Sequence, residues 1–152
     1  MTPDKTTKFE TRNSKIAKSF PASRGLVKDF TDLDAWKLAR QLRQAVFSIT
    51  RNFPSEERYV LTNQMRRAAM SVTANIAEGF GRFSYRENIQ FCRQARGSVF
   101  EVRDHLTSAL DAGHLPARTA AEIDSSAQRV IQVLNGYIRA TQKLDMSRQP
   151  GD

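Results

Sequence analysis

Apolar residues in this 152-residue chain recur at spacings of three and four, and no stretch of strict alternation competes with that period. The cleanest run is Ile123, Ala127, Val130, Leu134, Tyr137, Thr141 and Leu144, a heptad stripe. Ala35, Ala39, Leu42, Val46, Ile49 and Phe53 form another, flanked by Trp36. A third runs through Leu61, Met65, Ala68, Ala69, Val72 and Ile76 to Phe80. A fourth joins Cys92, Ala95, Val99, Val102, Leu106 and Ala109, with Tyr85, Ile89 and Leu110 beside it. Four amphipathic stripes joined by short loops predict an all-α protein, an antiparallel up-down-up-down four-helix bundle. The length suits one core rather than two.

Local signals set the expected boundaries. Thr31 or Asp32 can cap the first helix, Asp34 suits its first turn, and Pro54 ends it. Ser55 is the expected cap of the second helix, with Glu56 and Glu57 behind it. Gly79 and Gly81 stand where a left-handed C-cap is expected. Ser84 and Glu87 have capping-box spacing, Asp111-Ala112-Gly113 closes the third helix, and Leu115-Pro116 starts the return. Gly97 costs its helix about 1 kcal/mol against alanine, which predicts close backbone packing there. The expected organisation is a flexible basic extension over 1–30, a bundle over 31–146 and a frayed tail over 147–152.

Charge narrows the function. The net charge is +8 and the pI about 10.1. In residues 1–30, Lys5, Lys8, Arg12, Lys15, Lys18, Arg24 and Lys28 stand against Asp4, Glu10 and Asp29, 7 − 3 = +4, leaving +4 for the rest. Such a bias favours polyanion partners. One cysteine, Cys92, cannot form an internal disulfide and falls on an apolar seam, where a buried inert thiol is expected. With no apolar signal region and no membrane-length apolar run, a cytoplasmic protein with no membrane partner is expected. His105 and His114 differ in setting, and Glu101 to His105 lacks the Glu-x-x-His spacing of bundle metal sites. Without a glycine-rich phosphate loop or a Ser/His/Asp arrangement either, the expectation is no enzyme, no metal and no cofactor.

The stretch Met65–Glu101 and its surroundings carry the remaining chemistry. Arg86, Arg93, Arg96 and Arg103, with Phe100 among them, lie along one side of the third helix over about 25 Å. Arginine makes bidentate phosphate contacts, and an interleaved aromatic can stack on an unpaired base. Arg66, Arg67 and Arg82 extend this candidate nucleic-acid surface. The same stripe also reads as a subunit or protein-partner contact, and Phe47 and Phe100, both off their seams, are candidates for an oligomer interface. Asn75, Glu78, Ser98 and Glu101 read as structural.

Several motifs in this chain carry a resemblance. They are Phe30-x-Asp32-Leu33-x-Ala35-Trp36, Thr62-x-Gln64-Met65-Arg66-Arg67-Ala68-Ala69-x-Ser71-Val72, Ala74-Asn75-Ile76-Ala77-Glu78-Gly79 with Arg82, and Phe91 with Ala95-x-Gly97-Ser98-x-x-Glu101. In this order they resemble the four-helix-bundle proteins encoded by intervening sequences of bacterial 23S rRNA genes, over roughly residues 30 to 145. The resemblance implies a cytosolic, non-enzymatic homopentamer, five bundles around a central channel. Relatives of that family include the accessory protein of diversity-generating retroelements, a basic pentamer that binds nucleic acid and a reverse transcriptase. Nucleic acid, RNA or DNA, and a protein partner are therefore both expected partners.

Overall fold

The computed structural model describes residues 27–148. Among them are four long helices and no strand: α1 (Asp34–Thr50), α2 (Leu61–Gly81), α3 (Tyr85–Asp111) and α4 (Ala117–Met146). The most extensive contact joins α2 to α3; α3 with α4, α1 with α2, and α1 with α4 complete a ring of neighbours. The four predicted stripes meet inside it. Leu42, Val46, Met65, Val72, Ile76, Val99, Val102, Val130 and Leu134 are fully buried there. Of the stripe residues, Ile49, Leu61 and Leu144 are only partly covered, and Leu110, placed beside the fourth stripe, is exposed. Residues 1–26 of the expected extension, and 149–152 of the expected tail, lie outside the described residues. Val27 is already buried with the core, and Phe30 packs against it.

Helix boundaries differ from expectation in ways the hydrogen bonds explain. The first segment opens with a 3-10 turn, Phe30–Asp32, before α1 begins at Asp34. Asp32 does accept backbone N–H bonds, but from Lys28 and Asp29, so it closes this turn instead of capping α1. At the other end α1 stops at Thr50, ahead of Pro54, and Thr50 Oγ1 donates back to the Val46 carbonyl. Phe53 is buried from the bend that follows.

Ser55 does not cap α2. It opens a second 3-10 turn, Ser55–Tyr59, and Val60, at φ −113° and ψ −102°, separates that turn from the helix. Glu57 serves instead: its Oε2 accepts from the Leu61 N–H at 3.3 Å. Its Oε1 lies 3.1 Å from His114 Nε2 in the α3–α4 loop, where the His114 ring packs on Phe53. These bonds, His114 first and the Leu61 N–H second, hold the Glu57 carboxyl below the ordinary carboxylate range. Ser84 caps α3 as predicted, its Oγ accepting from the Glu87 N–H. Gly113, at φ +74°, makes the turn after α3.

The glycines of α2 and α3 do not take the roles assigned to them. Gly79 and Gly81 both lie inside α2 and neither takes a positive φ. Gly79 is buried where α3 crosses: an added Cβ would sit 2.9 Å from the Phe91 Cβ and 3.1 Å from the Asn88 carbonyl oxygen. Gly97 is exposed, and a Cβ there would meet nothing within 4 Å. The close approach of α2 and α3 is therefore made at Gly79.

Candidate nucleic-acid interface

Arg96 and Arg103 of α3 are directed to α4 and partly buried, whereas Arg86 and Arg93 are exposed. Arg103 Nε donates to Asp124 Oδ1 at 2.7 Å, and Gln128 donates to the other carboxylate oxygen at 2.6 Å. The Arg103 guanidinium holds the Asp124 carboxyl below its ordinary value. Arg96 Nη1 donates to Asn135 Oδ1 at 2.7 Å. Arg86 meets Asp145 at 3.3 Å but remains 73% exposed, so that pair is worth little in water. Arg93 is exposed and makes no ion pair or hydrogen bond among the described residues. The predicted stripe thus exists in space, but three of its four arginines engage polar groups of α4.

The other predicted residues divide similarly. Arg82 pairs with Glu78, approaches Glu87 at 3.8 Å, and lies over the Phe91 ring. Around it Ala74, Ala77, Gly81 and Phe83 line an open groove at the α2–α3 turn. Arg66 Nε donates to Thr50 Oγ1 at 2.8 Å while its guanidinium covers Phe47, 5.0 Å from the ring centre. Arg67, the next residue, is exposed. Phe47 is accordingly half-buried beneath an arginine, whereas Phe100 is 50% exposed beside Arg103.

The polar residues assigned structural roles have local partners. Asn75 donates to the Ser71 carbonyl, and the Ser71 and Ser98 hydroxyls are 2.9 Å apart across α2 and α3. Glu101 lies 3.4 Å from His105, one turn along the same helix. Cys92 is buried, and burial pushes its thiol up to about 12. Among the described residues no group of three or more His, Cys, Asp and Glu side chains is placed to hold a metal ion, and no helix is long and apolar enough to cross a membrane.

Two features escaped the apolar-stripe reading. Asn88, fully buried on the α3 seam, donates to the Tyr137 hydroxyl at 2.9 Å and accepts from Cys92. Its position between Tyr85 and Cys92 on one helical face was the available signal. The second is a face between α1 and α2. Trp36, Arg40, Arg43 and Phe47 recur at four, three and four residues, so they share one side of α1. Arg40 lies over the Trp36 ring at 5.9 Å, and Arg43 Nη1 donates to Thr73 Oγ1 of α2 at 2.8 Å. That repeat was legible, but a search for apolar positions passes over arginines.

The family model described as 23S rRNA-intervening sequence protein matches residues 31–136, most of the chain and three helices with two-thirds of the fourth. No curated protein matches the chain.

Proposed function

Because the chain belongs to the 23S rRNA-intervening sequence protein family, we propose that it is a non-enzymatic, homopentameric four-helix bundle that binds structured RNA through exposed arginines. The observation that carries this reading is a set of guanidinium groups, Arg67 and Arg93 among them, left exposed without a carboxylate partner among the described residues, on a chain of net charge +8. Exposed arginine without an internal acid is the state in which a phosphate can take the partner's place. The family description supports rRNA as the first polyanion to try. A cytoplasmic setting and an antiparallel helix order belong to the same proposal. The partners on α4 descend as α3 ascends, through Arg86–Asp145, Arg96–Asn135 and Arg103–Asp124, which supports that order.

The test is a titration of fluorescently labelled 23S rRNA fragments at several salt concentrations. The expected result is tight binding at low salt, with log affinity falling by roughly 0.7–0.9 per phosphate neutralised for each decade of salt. No binding at low salt removes the proposal.

A second reading, an interaction scaffold for another protein or for neighbouring subunits, is favoured by the large apolar side chains left exposed: Tyr59, Val60, Phe83, Phe100 and Met146. It predicts that Phe83→Ser with Phe100→Ser lowers the oligomer mass or loses the partner while RNA affinity is unchanged.

A further inference from the structure

The RNA-binding reading leaves open which face makes the contact, and charge balance separates the two halves of the molecule. Helices α3 and α4 carry many arginines, but also Glu87, Glu101, Asp104, Asp111, Glu122, Asp124 and Asp145. Helix α1 has no carboxylate between Ala35 and Thr50, and α2 has none between Leu61 and Ala77. Their acids, Asp34 and Glu78, stand at one terminus of each helix. Between those limits lie Lys37, Arg40, Arg43, Arg66 and Arg67.

Arg40, Arg43 and Arg66 are ordered without a carboxylate partner among the described residues. Arg40 stacks over Trp36 and Arg66 over Phe47, while Arg43 and Arg66 each donate to a threonine hydroxyl. A guanidinium has five N–H donors, so one bond to Thr73 or Thr50 leaves most of the fork available. An aromatic ring or a hydroxyl fixes the side chain yet leaves its full charge to an incoming anion. From Trp36 to Phe47 the face runs about 16 Å along α1.

We infer that this acid-free face of α1 and α2, built on Trp36, Arg40, Arg43, Phe47, Arg66 and Arg67, is where the RNA phosphate backbone docks. Charge complementarity selects the occupant: four arginines, with no carboxylate on α1 between Ala35 and Thr50 or on α2 between Leu61 and Ala77, suit a polyanion, and Arg40, Arg43 and Arg66 are held before it arrives. Of the α3 stripe, Arg96 and Arg103 then serve mainly to hold α3 against α4. This inference rests on the RNA-binding reading and narrows it to one surface.

The experiment compares the full chain with two variants that each remove two charges from exposed arginines. Arg40→Gln with Arg67→Gln alters the α1–α2 face; Arg86→Gln with Arg118→Gln alters arginines already paired with Asp145 and Glu122. Labelled rRNA fragments are titrated across salt concentrations, with circular dichroism and light scattering on every variant. The expected result is a loss of ten-fold or more for the first variant and a salt slope shallower by about 1.4–1.8, two phosphates' worth. The second variant should stay within about two-fold of the parent at the same salt. Equal losses in both variants overturn the assignment to this face while leaving RNA binding in place. A first variant whose oligomer mass falls also overturns it, because the face is then a subunit contact. If the parent chain binds no RNA, the broader reading fails and takes the inference with it.

Discussion

At the scale of single residues, two glycines on adjoining helices should respond to the same substitution with opposite signs. Gly79→Ala places a methyl group 2.9 Å from the Phe91 Cβ and 3.1 Å from the Asn88 backbone oxygen, neither of which is a flexible side-chain end. Overpacking of this kind costs about 1–3 kcal/mol, and the helix-propensity gain of up to about 1 kcal/mol offsets only part of it. Gly97→Ala meets open space in mid-helix and should stabilise by roughly 0.5–1 kcal/mol. Urea unfolding of both variants measures the pair, and a destabilised Gly97→Ala would contradict this account. The sequence showed that glycine is unusual in a helix, hence the weight placed on Gly97. It could not show which glycine faces the neighbouring helix. Gly79 lies just before a turn, where a cap is the ordinary local explanation, and only the crossing of α3 over α2 reveals the other.

Between elements, the contact of α3 with α4 is tied by Arg103 and Asp124, each side chain about one-third exposed. Asp124 has a carboxyl held below 3.8, chiefly by the Arg103 hydrogen bond and, more weakly, by Gln128. A carboxyl depressed in the folded state contributes stability that is fully present above its unfolded value. That stability disappears as pH falls through the lower folded value. Asp124→Asn should therefore cost about 0.2–1 kcal/mol at neutral pH, the range of solvent-accessible pairs, and almost nothing near pH 2. Denaturant midpoints of parent and variant should converge below pH 4; a gap unchanged down to pH 2 would remove the pair as its cause. Element types and seams were legible because period and burial coincide along all four helices. Element ends were less so, since Glu57 and Asp32 act through partners several residues away and the local cap residues signal only possibility. The arginine stripe illustrates the same limit. Its spacing placed Arg96 and Arg103 on one side of α3, but the acceptors that engage them, Asn135 and Asp124, belong to another helix.

For the whole molecule, charge and assembly act against each other. Each copy carries +8, so the proposed pentamer would bring 5 × 8 = 40 positive charges together. Such a concentration of one sign disfavours the compact assembly through self-repulsion. Salt reduces that repulsion, since the screening length falls from about 10 Å at 0.1 M to about 3 Å at 1 M. The same screening weakens contact with phosphate. Assembly and RNA binding should consequently respond to salt in opposite directions: the thermal midpoint of the free protein rises with added salt while affinity for rRNA fragments falls. Light scattering should give a mass near five times 17.2 kDa. Because association stabilises by mass action, the midpoint should also rise with protein concentration. A mass of one copy, together with a midpoint independent of concentration, would leave a monomeric bundle and remove the pentamer. A midpoint that falls with salt would mean that internal pairs such as Arg103–Asp124 outweigh repulsion between copies. The arginines of α1 and α2 matter to that balance as well, because with no carboxylate between Ala35 and Thr50 or between Leu61 and Ala77 they add to the repulsion, which the proposed RNA would relieve.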